Sequence, residues 1–156
     1  MGFGTYGLPG YSLPDAIDLI ARTGFDSIEI ASMSGYHGSP DQVPKAQRAD
    51  LRKRIADSGL KLGAFLGFPR PAPSKQSENE TQLKQLLELA IDLSEEGDRP
   101  LIQSVLGGGE WEEKKEFYRD CLGPYVELAA DAGIELSIKP HRAHAMSRPE
   151  HGVWLI

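Results

Sequence analysis

Four glycines, Gly24, Gly59, Gly97 and Gly133, stand 35, 38 and 36 residues apart along this chain. Each follows a stretch with helical spacing and precedes a short apolar run. The runs cover 26–30, 61–66, 101–106 and 135–139. A unit of this length, repeated as helix, glycine, strand, is a βα repeat. Glycine suits the left-handed position that ends a helix. Strands alternating with helices predict a parallel sheet covered by helices, an α/β fold. The repeat constrains the architecture and leaves the chemistry open.

The chain has 156 residues, a length that suits one domain over 1–156. Forty per cent of them are apolar, enough for a core. The formal net charge is −6. An acidic balance argues against a nucleic-acid partner, because phosphate contacts need a basic face. The single cysteine, Cys121, excludes an internal disulfide and suits a reducing compartment. No apolar run approaches the roughly 20 residues of a membrane span. The first seven residues lack the basic and apolar regions of a signal peptide. The reading is a cytoplasmic protein with a small-molecule partner, not a nucleic acid or a membrane.

The first strand is expected over Gly2 to Tyr6. Ser12 then caps a helix, with Asp15 three residues on. Leu13, Ala16, Ile17 and Ile20 give this helix one apolar face. Strand two ends near Ala31. Pro44 fits the first position of helix two, whose buried stripe holds Leu51 and Ile55. Strand three runs to about Leu66, and a proline-rich loop follows. Ser77 and Glu80 predict a capping box for helix three, with Leu83, Leu86, Leu87, Ala90 and Leu93 inward. Strand four leads into Gly107-Gly108-Gly109. Tyr118, Leu122, Tyr125, Val126 and Ala129 form the stripe of helix four, which Pro124 is expected to kink or split. Strand five spans 134–139, and a fifth helix begins near Ser147.

Two architectures suit this order of elements. A (β/α)8 barrel needs eight strands and usually about 250 residues. An open, doubly wound sheet of five strands fits the length better. Periodicity does not separate them. The stretch 24–30, Gly-Phe-Asp-Ser-Ile-Glu-Ile, resembles the second-strand signature of the xylose-isomerase-like TIM barrel superfamily. The stretch 129–141, ending Ser-Ile-Lys-Pro-His, resembles the fifth-strand region of the same group. That superfamily holds sugar phosphate isomerases and epimerases, and family 2 apurinic endonucleases. The resemblance implies the N-terminal part of a (β/α)8 TIM barrel, about five parallel strands and four to five helices. It implies an incomplete domain.

In metal-dependent members of the superfamily a glutamate ends the fifth strand and binds a divalent ion. Lys139 stands at the matching position here. An ammonium group has donors only and cannot replace a carboxylate ligand. The resemblance therefore implies manganese or magnesium in complete relatives, and no metal for this chain.

Strand parity selects further residues. If Ile28 and Ile30 face the helices, Glu29 points into the barrel, where a lone charge is costly. It is a candidate acid/base or substrate-binding carboxylate, and a structural ion pair is the alternative. Ser137, Lys139 and His141 share one parity in and beyond strand five, so Glu29 and Lys139 are expected to couple. Lys139 can hold an anionic group, act as a base, or only neutralise Glu29. His141 lies where barrel enzymes do their chemistry. His37, in a glycine-flanked loop after strand two, and Gln103, an inward amide of strand four, are candidate substrate ligands. His144 and His151 rank lower. Gly107 to Gly109 can cradle a phosphate or serve as plain connection. Arg70 and Lys75 read best as solvated loop charges.

The catalytic set expected from this is Glu29, Lys139 and His141, with His37 and Gln103 on substrate. The function expected is that of a sugar or sugar-phosphate isomerase or epimerase, in truncated form. A catalytically idle carbohydrate-binding or assembly module is the alternative, and a DNA-repair enzyme a third. Whether the chain by itself is an enzyme stays open. An incomplete barrel also predicts self-association through open sheet edges.

Overall fold

The computed structural model describes every residue except Gly97 and Arg99. The strands are β1 (Gly2–Gly4), β2 (Ser27–Ala31), β3 (Lys61–Leu66), β4 (Leu101–Ser104) and β5 (Glu135–Ile138). The helices are α1 (Leu13–Arg22), α2 (Lys45–Asp57), α3 (Gln76–Leu93), α4 (Trp111–Asp131) and α5 (Pro149–Leu155). Three of the four glycines end helices as their spacing predicts. Gly24, Gly59 and Gly133 have φ of 86°, 75° and 67°. After each, the next amide reaches back to a carbonyl of the last turn: Phe25 to Ile20, Leu60 to Ile55, Ile134 to Ala129. This is the Schellman closure, and it turns each helix directly into the following strand. The fourth, Gly97, lies outside the described residues, and α3 ends before it at Leu93.

All strands run parallel, in the spatial order β1-β2-β3-β4-β5. That order decides between the two architectures. A doubly wound sheet reverses its strand order at a switch point. Sequential order with helices on one side is the winding of a barrel. The chain is the N-terminal part of a (β/α)8 barrel, with five strands of it in place. Ile28, Ile30, Phe65 and Ile102 are buried under the helices with Ile17, Leu83, Leu86 and Tyr125. The opposite, concave face carries small and polar residues: Gly4, Ser27, Glu29, Ala64 and Gln103.

Several local expectations need correction. β1 stops at Gly4, and Thr5–Gly7 form a 3-10 turn. The turn buries Thr5, whose hydroxyl accepts the Ala31 amide at 2.9 Å. Ser12 caps α1 as expected, accepting from the Asp15 amide at 3.3 Å. The capping box of Ser77 and Glu80 does not form. α3 starts two residues earlier than that box requires, and Gln76 donates to Glu80 at 2.9 Å instead. Pro124 does not split α4, which runs unbroken through it. The one carbonyl that loses its helical donor belongs to exposed Asp120, where water can serve it. Val126 is exposed, so the buried stripe of α4 passes from Tyr125 to Ala129 without it.

Arg48 is buried between α2 and α3. Its guanidinium donates to the Val43 carbonyl at 3.2 Å and to Asp92 at 2.9 Å. The partners' carboxylates stay partly solvated, so the group joins two helices and is not a site.

β1 and β5 each pair on one side only, which leaves two ladders of backbone groups open. Static light scattering on this chain should show mass rising with concentration. A monomer of constant mass across the range would refute association through these edges.

Candidate functional site

Glu29 sits at the centre of the concave face. β2 alternates over Ser27 to Ile30, so burying Ile28 and Ile30 forces Glu29 inward. Its neighbours there are small. Gly4 pairs with it on one side and Ala64 on the other. A Cβ at Gly4 would lie 2.9 Å from the Glu29 Oε1 atom, so glycine makes room for the carboxylate. Between Ile28 and Glu29 the register with β3 slips by one residue, which places Gly63 as an extra step. Gly63 and Ala64 therefore leave the space above β3 open. Across it the Gln103 Nε2 donates to Glu29 Oε2. The Gln103 and Glu29 side chains thus meet over an intervening strand.

Burial raises the Glu29 carboxyl pKa above its ordinary value, and the Lys139 charge opposes this more weakly. Lys139 stands just past β5 and is exposed. The expected coupling exists as a field, but no ion pair closes within 4.0 Å among the described residues. Glu29 bonds Gln103 instead. A carboxyl whose folded pKa is raised binds its proton more tightly in the native state. Its contribution to stability is full below the unfolded pKa and is lost as pH rises through the folded value. Glu29→Gln, which keeps an acceptor for Gln103, should therefore raise the melting temperature at pH 7. The gain should vanish towards pH 4. A melting temperature that falls at pH 7 would mean that ionised Glu29 is stabilising.

His141 is exposed in the loop after β5. Its Nδ1 lies 2.7 Å from the Arg142 carbonyl, and its ring centroid is 4.6 Å from that of His144. His37 stands apart from this group. Both of its ring nitrogens are enclosed and neither makes a hydrogen bond. The structure thus brings together Glu29 and Gln103, sets Lys139 and His141 at the rim, and gives His37 no bond to any of them.

Two hollows mark the face. One, of about 270 Å³, lies over Gly4, Ser27, Glu29, Gly63 and Ala64. The other, of about 580 Å³, opens between the loops after β2 and β3 and the side of α3 that carries Gln82, Gln85 and Leu86. Ser34, Asp41, Gly67, Arg70, Gln82 and Ser104 line part of it. Sequence reading missed the second hollow. The one signal for it was the turn glycine Gly67, which lets the chain leave β3 against Met33.

A family model described as "Xylose isomerase-like TIM barrel" matches residues 17–156. The chain belongs to this family. No curated protein matches it significantly in sequence. Solved structures of xylose isomerase-like barrels share its fold at low identity. The 3-keto-D-glucoside 4-epimerase YcjR of E. coli is 14% identical, with a TM-score of 0.67 over 92% of this chain and 56% of its own. The probable 3-DHS dehydratase AsbF of Bacillus anthracis is 13% identical, with a TM-score of 0.79 over 99% and 57%. A xylose isomerase-like TIM barrel protein of Mycobacterium smegmatis, solved in complex with magnesium, is 13% identical, with a TM-score of 0.69 over 97% and 58%. The chain spans a little over half the length of these family members. One barrel thus serves an epimerase and a dehydratase, so the fold alone does not name the reaction.

The donor set on this face does not suit the magnesium that such a relative holds. Magnesium wants near-octahedral oxygen ligands. At the end of β5 the chain offers the Lys139 ammonium. Among the described residues no three His, Cys, Asp or Glu side chains gather.

Proposed function

We propose that this chain carries the proton-handling face of a sugar or sugar-phosphate isomerase or epimerase. One observation supports the reading above the others: a half-buried carboxyl with raised pKa, held by an amide at the centre of the concave face. An ordinary carboxylate is a weak base at neutral pH, and raising its pKa strengthens it. In this reading ionised Glu29 takes the proton from a carbon next to the sugar carbonyl. The electron pair moves onto the carbonyl oxygen, giving an enediolate. Glu29, now protonated, returns the proton to the former carbonyl carbon, while the neighbouring hydroxyl passes its proton to the enediolate oxygen and becomes the new carbonyl. Gln103 fixes the carboxyl and can turn its amide to a sugar hydroxyl. Lys139 at the rim faces the developing negative oxygen, and His141 lies within the same mouth. No step here passes through a metal.

A second reading has one observation in its favour. With Lys139 exposed and no cluster of metal donors among the described residues, the same face can bind a carbohydrate without turning it over. Both readings require the sugar to reach Gln103. Titration with neutral aldoses and ketoses should shift the Gln103 side-chain amide resonance, and Gln103→Ala should remove saturable binding. Saturable binding that survives Gln103→Ala would place the sugar elsewhere and overturn both.

A further inference from the structure

The larger hollow, between the loops after β2 and β3, takes no part in the function proposed above. Of the residues that line it, only Asp41 and Arg70 carry charge, one of each sign. They come from different loops, and no ion pair joins them among the described residues. Arg70 reads in the sequence as a solvated loop charge, and the structure makes it part of this lining.

Both charges stand on held backbone. Arg70 lies between Pro69 and Pro71, and a residue before proline is confined to extended backbone. The Arg70 carbonyl accepts from the buried Asn79 side chain of α3 at 2.9 Å. Asp41 lies in a turn whose Gln42 and Val43 amides both reach the Ser39 carbonyl, at 2.9 and 3.1 Å. Val43 is buried and anchors that turn. The Gln42 Nε2 donates to the Asp41 Oδ2 at 3.0 Å. A carboxylate accepts about four such bonds, so Asp41 has room for another donor.

The buried polar groups of the lining are of one kind. Ser32, Ser39 and Ser104 are all buried there. Each donates its hydroxyl hydrogen to a backbone carbonyl: Ser32 to Ile30 at 3.3 Å, Ser39 to Tyr36 at 2.8 Å, Ser104 to Phe68 at 3.1 Å. What each oxygen has left to offer is its lone pairs. An ammonium group has three donors and no acceptor, so it matches such oxygens beside a carboxylate. A ligand carboxylate matches the planar guanidinium of Arg70. Met33, Leu66 and Leu86 add apolar surface for a carbon chain. A ligand with a single charge would meet its own sign on one of the two loops. A ligand with both charges meets neither penalty.

We propose that this hollow binds a small zwitterion of the amino-acid type, its ammonium on Asp41 and the serine oxygens and its carboxylate on Arg70. The volume, about 580 Å³, suits such a ligand, since small-molecule sites span roughly 300–1,000 Å³. The inference is independent of Glu29 and of any sugar.

Glycine, γ-aminobutyrate and 6-aminohexanoate span a range of charge separations, and butyrate and butylammonium carry one charge each. Calorimetric titration of all five against the chain, with amide resonances followed in parallel, tests the site. At least one zwitterion should bind saturably and about tenfold tighter than either singly charged probe, the worth of one charge-assisted hydrogen bond. It should move the amides of Ser32, Gly67 and Ser104. Arg70→Gln should reduce its affinity to that of butylammonium, and Asp41→Asn to that of butyrate. Both side chains are exposed, so the melting temperature should hold in each variant. The comparison of the five probes on the unaltered chain decides the matter even if a variant fails to fold. If no zwitterion binds, or a singly charged probe binds as tightly as the best of them, the site is overturned. Binding that survives both substitutions, or that moves the Gly4 and Glu29 amides instead, places the zwitterion elsewhere and overturns it too.

Discussion

Gly67→Val should destabilise the chain by roughly 3–5 kcal/mol, a left-handed-region penalty with overpacking on top. Gly67 has a φ of 124°, which a β-branched residue does not adopt without strain. A Cβ there would also lie 2.8 Å from the Met33 amide nitrogen and against the Met33 side chain. The first obstacle is backbone and cannot swing away. The Gly67 amide donates to the Gln103 carbonyl at 2.8 Å, so the residue cannot leave its place without breaking the link from β3 to β4. In urea the midpoint should fall with little change in slope. A loss below about 1 kcal/mol would show that the loop relaxes and that the close approach is not needed.

Phe65→Ala should cost a comparable amount, about 3–5 kcal/mol, by opening a cavity in the core. Phe65 is fully buried between β3 and the helices. Its inward neighbour Leu66 is half-buried beside the open hollow. Leu66→Ala should therefore cost clearly less, because its site is already in reach of water. The pair tests the facing of β3. Equal costs would mean that the concave side is as well packed as the convex one.

The periodic part of the fold was legible because each signal acts locally. Gly24, Gly59 and Gly133 close helices through their own φ, and Ser12 caps through the amide three residues on. The inward parity of Glu29 followed from two isoleucines. Part of what failed depended on neighbours distant in sequence. The bulge at Gly63 arises where β3 fits against β2, and no pattern within β3 announces it. Ser77 lost its capping role because the helix gained a turn residue at Gln76. Pro124 stays inside α4 because its orphaned carbonyl faces water. Arg48 reads as one more charge on a polar helix, yet α3 brings it carboxylate partners. Parity likewise put Glu29 and Lys139 on one face without giving their separation. Sequential strand order sets Lys139 three strands from Glu29 and Gln103 only two. Small residues on β3 then let the nearer amide reach across. Sheet order, invisible in composition, chose the barrel over the open sheet.

Solvent deuterium exchange reports most directly on whether Glu29 handles a substrate proton. In D₂O this chain should place deuterium on the carbon next to the carbonyl of a bound ketose or ketose phosphate, followed by proton NMR. Glu29→Gln should slow that exchange by about 10²–10⁴-fold, the usual worth of a positioned general base, while the sugar still binds. Exchange that continues unchanged in Glu29→Gln, or sugar binding with no exchange in the unaltered chain, would contradict the account.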